Sequence, residues 1–168
     1  MQNLKLPWLI DVAYVVKAST GRFKLDYIKA KREVTKRLGD VSMFLFNGVD
    51  ATYGIPPGLQ KFYEAMRIRG ATIRLQPMQS GSDFEMNRQR RVDVDLCSHM
   101  VWLASRPEVD TLLLTTGDQD FVPAVEVVQK MGKKVILYSF DACVHHDLSS
   151  IVDDWWLFEQ EKEQIARH

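Results

Sequence analysis

Apolar residues along this chain fall into short unbroken runs that alternate with segments of helical period. Leu6 to Val12, Val41 to Phe46, Ala71 to Leu75, Thr111 to Thr115 and Lys134 to Tyr138 are such runs. Their length, and the turn residues that bound them, predict five buried strands. Between them, Phe23 to Leu38 places Leu25, Ile28, Val34 and Leu38 among lysines and arginines and stops at Gly39, which predicts an exposed amphipathic helix. Pro56-Pro57 opens a second helix with Leu59, Phe62, Tyr63 and Met66 on one side, ended by Gly70. Arg90 to Ala104 and Phe121 to Met131 read as two more. Strands separated by helices imply right-handed crossovers and a parallel sheet covered on both faces. No repeat or linker interrupts the alternation, so residues 1–168 read as one domain.

One stretch breaks the pattern. Pro77 to Gln89 contains Met78-Gln79-Ser80-Gly81-Ser82-Asp83, which is polar and aperiodic. It reads as an exposed loop, either a plain connection or a flap over a site.

Acids stand where strands end. The run Trp8-Leu9-Ile10 leads straight into Asp11, and Thr111-Leu112-Leu113-Leu114 leads into Thr115-Thr116-Gly117-Asp118-Gln119-Asp120. Ligands of open parallel sheets bind beyond the carboxyl ends of the strands, where strand order reverses. If strands one and four are neighbours there, Asp11 and Asp118 face one crevice. Asp120 also suits the N-cap of the helix from Phe121, a role that Asp118, two residues earlier, does not fill. For Asp11, neither turn nor cap chemistry is evident. On the helix from Arg90, the 3.6-residue period aligns Asp93 with Cys97, Met100, Val101 and Ala104 on a mostly apolar face. Asp95 shares a line with His99 and Trp102 instead, where dipole placement and an acid–histidine pair explain it. An inward Asp93 needs a partner, either a metal or a basic side chain. Clustered carboxylates favour a hard cation, Mg²⁺ or Mn²⁺, over zinc.

Composition narrows the partners. Lys+Arg and Asp+Glu both number 22, so a polyanion must be held by a local patch rather than by net charge. Arg88, Arg90 and Arg91 stand just before Asp93 and could bind phosphates, and Tyr14 could stack on a base. Lys29, Lys31, Arg32, Lys36 and Arg37 read as a solvated helix face. Cys97 and Cys143 lack paired spacing and suggest free thiols. No apolar run reaches membrane-spanning length, so no membrane partner is expected and a cytoplasmic protein is the default. Glycine-rich nucleotide loops and a nucleophile elbow are absent from the sequence. Cys143-Val144-His145-His146 reads as a loop and helix start.

Ile10-Asp11, Arg91-Val92-Asp93-Val94-Asp95-Leu96, Thr116-Gly117-Asp118-Gln119-Asp120-Phe121-Val122-Pro123 and Gly132-Lys133-Lys134-Val135 together resemble the NYN domain of LabA-like proteins, within the PIN-like nuclease class. The resemblance extends to a closing helix and last short strand between Leu148 and Trp156. It implies an α/β, three-layer Rossmann-like (PIN-like) fold with a central, mainly parallel sheet of five or six strands flanked by helices. It further implies a divalent-metal-dependent ribonuclease in which Asp11, Asp93, Asp118 and Asp120 hold one or two ions and carry the hydrolysis of RNA. Two positions depart from the family pattern. Asp11-Val12-Ala13-Tyr14-Val15 lacks the glycine and asparagine that commonly follow the first acid, and His99 stands where many members carry an acid. A catalytically silent module binding RNA, a nucleotide or a partner is the alternative on the same fold. Trp155-Trp156-Leu157-Phe158 is read as packing on the sheet edge, with a homodimer contact as the other use of that cluster.

Overall fold

The computed structural model describes residues 4, 6–78 and 84–168, with side chains from Arg90 onward in the last stretch. Six strands form one sheet: β1 (Pro7–Asp11), β2 (Ser42–Asp50), β3 (Thr72–Met78), β4 (Thr111–Thr115), β5 (Lys134–Ser139) and β6 (Asp154–Leu157). Their spatial order is β3-β2-β1-β4-β5-β6, and every neighbouring pair is parallel. This is the doubly wound Rossmann order, in which the chain winds outward in both directions from a switch point between β1 and β4.

The period-2 geometry of strands sorts the apolar residues into two layers. Trp8, Ile10, Met43, Leu45, Leu113 and Tyr138 point to one face. There they meet α1 (Val12–Ala18), α2 (Tyr27–Leu38), α3 (Pro57–Ile68) and the C-terminal α7 (Lys162–Ile165). Leu9, Phe44, Phe46, Leu112, Leu114, Val135 and Leu137 point to the other. That face is covered by α4 (Phe84–Ala104), α5 (Val122–Lys130) and α6 (His146–Ile151). Just beneath the carboxyl edge, the Trp8 indole N–H donates to Thr115 Oγ1 at 2.8 Å, and the Thr115 hydroxyl donates to the Tyr138 carbonyl at 2.5 Å. Three adjacent strands are thereby tied together where the site begins.

The five expected strands and the short sixth are present. Several boundaries differ from the sequence reading. β1 ends at Asp11, and Val12-Ala13-Tyr14-Val15-Val16-Lys17-Ala18 is helix rather than the end of a strand. Its β-branched residues have poor helix propensity, but Val12, Tyr14, Val15 and Ala18 bury against the core, and packing overrides propensity. β3 continues through Pro77 to Met78 instead of stopping before the proline. It is an edge strand, where a missing backbone N–H is tolerated. The expected loop from Pro77 to Gln89 is therefore shortened at both ends, since α4 already runs from Phe84. Residues 79–83, the centre of that loop and of any flap, lie outside the described residues. Trp155 and Trp156 do cap the sheet edge. Trp155 Nε1 donates to Ser139 Oγ at 2.9 Å, and Trp156 lies edge-on to Tyr138 beneath the Arg37 guanidinium. No described helix is long and apolar enough to cross a membrane.

Candidate active site

Asp11 is the last residue of β1 and the N-cap of α1, where its Oδ1 accepts the Tyr14 backbone N–H at 3.2 Å. Its Oδ2 accepts the Thr116 hydroxyl at 3.1 Å, across the junction with β4. The chain turns from strand to helix with no intervening loop, so the carboxylate stays buried, with only 2% of its surface exposed. Burial is the main cause that pushes its pKa up from 3.8 to about 6. Bonds from Tyr14 and Thr116 oppose that shift, and the Asp118 charge adds to it.

The segment after β4 reverses the expected capping roles. Asp118, not Asp120, is the side-chain cap: it accepts the Asp120 backbone N–H at 2.9 Å and opens a short 3₁₀ turn, Gln119–Phe121. The cap position of α5 falls to Phe121, which makes no side-chain bond there. One extra turn of 3₁₀ moves the cap two residues upstream and leaves the Asp120 carboxylate exposed. Gly117 is required at the turn itself. A Cβ there would lie 1.7 Å from the Cys143 carbonyl oxygen and 2.8 Å from the Tyr14 ring. The loop carrying Cys143 is locked to it by the His145 N–H, which donates to the Gly117 carbonyl at 2.8 Å.

The third contributor is α4. Its buried line is Val92, Leu96, Met100 and Leu103, a slight rotation from the line expected through Val101. Asp93 sits beside that line at 7% exposure, as its inward assignment required. It meets Asp118 and Asp120, and one carboxylate oxygen of each of the three lies within 4.8 Å of the others. Asp11 is not among these three. It instead lines, with Asp118, Ala13, Tyr14 and Lys17, an adjoining crevice of about 400 Å³. Asp118 belongs to both features.

The donor set suits a hard divalent cation. The three groups offer only carboxylate oxygens, with no imidazole or thiolate among them. Cys97, one turn after Asp93, is not among the three grouped residues. Burial first, then the charges of Asp93, Asp120 and Asp118, push its thiol up to about 11. The fit is therefore to a metal held through oxygen.

Other candidates are placed elsewhere. Asp95 points away from this cluster to β3, where it accepts Arg74 Nη2 at 3.0 Å, Arg74 Nε at 3.3 Å and Gln76 Nε2 at 2.9 Å. His99 joins it, with Nδ1 3.1 Å from the Asp95 carboxylate and its ring edge-on to Phe46. His99 thus completes a half-buried structural cluster rather than the surface pair expected. Arg90 and Arg91 are exposed and line a separate shallow surface with Gln76, Val94, Asp95 and Ser98, and Arg91 Nη1 donates to the Pro77 carbonyl at 3.4 Å. The Arg88 side chain lies outside the described residues. Tyr14 lines the crevice but is buried, and its hydroxyl is directed to the carbonyls of Phe140 (3.2 Å) and Ala142 (3.0 Å), which leaves little ring for a base to stack on. Lys17 and Thr116 were missed in the sequence. Lys17 follows Ala13 and Tyr14 at helical spacing, a signal readable only once α1 is known to begin at Val12.

A doubly wound parallel sheet with carboxylates gathered beyond its β1/β4 switch point defines a Rossmann-like protein with an acidic site. The NYN domain family matches residues 7–155, and the chain belongs to that family, which places it in the PIN-like nuclease class. An uncharacterized protein of Methanocaldococcus jannaschii is 28% identical over 131 residues, covering 78% of this chain and 47% of the relative. The chain therefore spans about half the length of that curated relative. A protein of unknown function from Vibrio parahaemolyticus shares the fold, with a TM-score of 0.72, 22% identity and 94% of each chain covered.

Proposed function

We propose that this chain is a divalent-metal-dependent ribonuclease of the LabA-like type, with Asp93, Asp118 and Asp120 as metal ligands and Asp11 acting in the adjoining crevice. The observation that carries the reading is the meeting of three carboxylates from two distant segments within 4.8 Å, in a member of a PIN-like family. Like charges this close repel, an arrangement that a bound cation reverses. Mg²⁺ or Mn²⁺ would supply activation of water and stabilisation of the charge developing on the phosphate. The residues of the chain do the rest. Asp118, fixed by its cap bond, sets the spacing between cluster and crevice. Thr116 and the Tyr14 N–H orient the Asp11 carboxylate. Lys17, at the crevice wall, offers a cation to a phosphate.

Calorimetric titration with Mn²⁺ and Mg²⁺ on the native protein and on Asp118→Asn, followed by RNA cleavage on the same samples, tests this. Asparagine also caps, so the variant keeps its fold. Native metal binding and cleavage, with loss of cleavage by about 100-fold or more in the variant, is the expected result. Metal-loaded native protein that leaves diverse RNAs intact would overturn it.

A second reading, a binding module without turnover, is favoured by one detail. Where the family commonly presents a polar amide, the crevice wall here is Ala13 and a Tyr14 whose hydroxyl is engaged by two carbonyls. Binding of RNA without hydrolysis would select it.

A further inference from the structure

The crevice lining includes a single cation, Lys17, and Arg90 and Arg91 line a separate surface with Gln76 of β3. Unengaged cations occur on the α2–α3 side. A groove of about 420 Å³ runs between the start of α2 and the length of α3. Lys61, Arg69 and Arg167 line it, all three exposed, and none of them forms an ion pair among the described residues. The acid on its wall, Asp26, is already engaged as the N-cap of α2, accepting the N–H groups of Ile28 and Lys29 at 3.0 Å. Lys61 lies in the first half of α3 and Arg69 is its C-cap, eight residues on and roughly 12 Å further along the axis, far enough to meet different phosphates of an extended strand. Arg167 is tied to the segment that leads into α2, because its backbone N–H donates to the Lys24 carbonyl at 2.8 Å and Ala166 bridges Leu25. Between the cations the half-buried rings of Tyr27 and Phe62 lean on each other with centroids 5.5 Å apart.

We infer that this groove is a second nucleic-acid subsite, which takes a single-stranded polynucleotide, phosphates on Lys61, Arg69 and Arg167 and a base on Phe62 and Tyr27. Charge complementarity and an aromatic floor are the two features such sites combine. This inference rests on the reading of the crevice as a nucleic-acid site.

The test is fluorescence anisotropy with labelled single-stranded RNA and DNA oligonucleotides on the intact chain, in EDTA so that no cleavage intervenes. The charge-reversed pair Lys61→Glu/Arg69→Glu is expected to bind about tenfold or more weakly and to flatten the slope of log K against log salt by about 1.4. The pair Lys130→Glu/Lys134→Glu, at exposed positions away from the groove, changes net charge equally and is expected to bind like the native chain. Equal weakening by both pairs, no weakening by the first, or no binding by the native chain would each overturn the groove. Parallel RNA cleavage with Mn²⁺ separates the two proposals. Cleavage by a native chain whose groove variants bind normally leaves the nuclease standing without the groove. Groove-dependent binding with no cleavage leaves the groove standing without the nuclease. If RNA and DNA bind alike, the groove reads backbone and base faces; preference for RNA means that it also senses the 2′-hydroxyl.

Discussion

Asp93 and Asp95 stand two residues apart on one helix and live in opposite electrostatic settings. Asp95 turns toward β3 and meets a guanidinium fork, an amide and an imidazole. Burial raises its pKa, but Arg74 and Gln76 bonds and the Arg74 and His99 charges outweigh this and hold the carboxyl below its usual value. Asp93 turns toward the switch point and is brought against two more carboxylates. The first arrangement is what a fold does to stabilise itself. The second is what a fold tolerates when something else is to be bound there.

The sharpest way to test this contrast is pH, because Asp11, in the same crevice as Asp118, and Asp95 shift in opposite directions. For Asp11 the folded pKa of about 6 exceeds the ordinary 3.8. Its protonated form is favoured by folding, so its contribution is full below 3.8 and is lost as pH rises through 6. In EDTA the native chain should therefore gain roughly 3 kcal/mol relative to Asp11→Asn as pH falls from 7 to 3. Asp95 behaves oppositely: its contribution is full above 3.8 and disappears as pH falls below it. Urea unfolding at stepped pH measures both, and a native–variant difference for Asp11 that does not vary with pH would contradict the assignment.

Metal comes next in size. At one hundred times its Kd, a single bound ion stabilises by about 2.7 kcal/mol, or roughly 5–10 °C in Tm for a chain of this length. Asp120→Asn should cancel that rise while raising the Tm of the metal-free protein slightly, since it relieves repulsion. Asp95→Asn should leave the metal-induced rise intact. Calorimetric scans with and without Mn²⁺ decide, and an equal rise in Asp120→Asn would remove that residue from the ligand set.

The smallest effect belongs to the structural cluster. Arg74 is 41% exposed, so solvent screens its pair with Asp95, and Arg74→Ala should cost about 1–2 kcal/mol. A double-mutant cycle with Asp95→Asn measures the coupling; a coupling near zero would mean that Gln76 and His99 suffice for Asp95.

Much of this was readable before any coordinates. Short apolar runs bounded by glycine and proline located the strands, and acids at two strand ends pointed to the site. What escaped was local in sequence but decided by contacts made elsewhere. The helix at Val12–Ala18 has strand-like composition and exists because its buried side packs on the sheet, so Lys17 and the capping role of Asp11 were invisible with it. The cap passed from Asp120 to Asp118 because a 3₁₀ turn intervenes. His99 looked like a surface partner for Asp95, yet Phe46 and Trp102 enclose it.

The sequence by itself determined the periodicities, hence the alternation of strand and helix, the parallel sheet, and the inward side of α4 at Asp93. These depend on geometry repeating every two or 3.6 residues and need no distant partner. Only the tertiary structure decided which strands are neighbours. The order β3-β2-β1-β4-β5-β6 brings residue 11 beside residue 116, and packing of α4 over the sheet brings residue 93 to residues 118 and 120. Such meetings depend on long-range pairing and burial, which no local pattern encodes. They are why one aspartate of α4 belongs to a candidate metal site and its near neighbour to the framework.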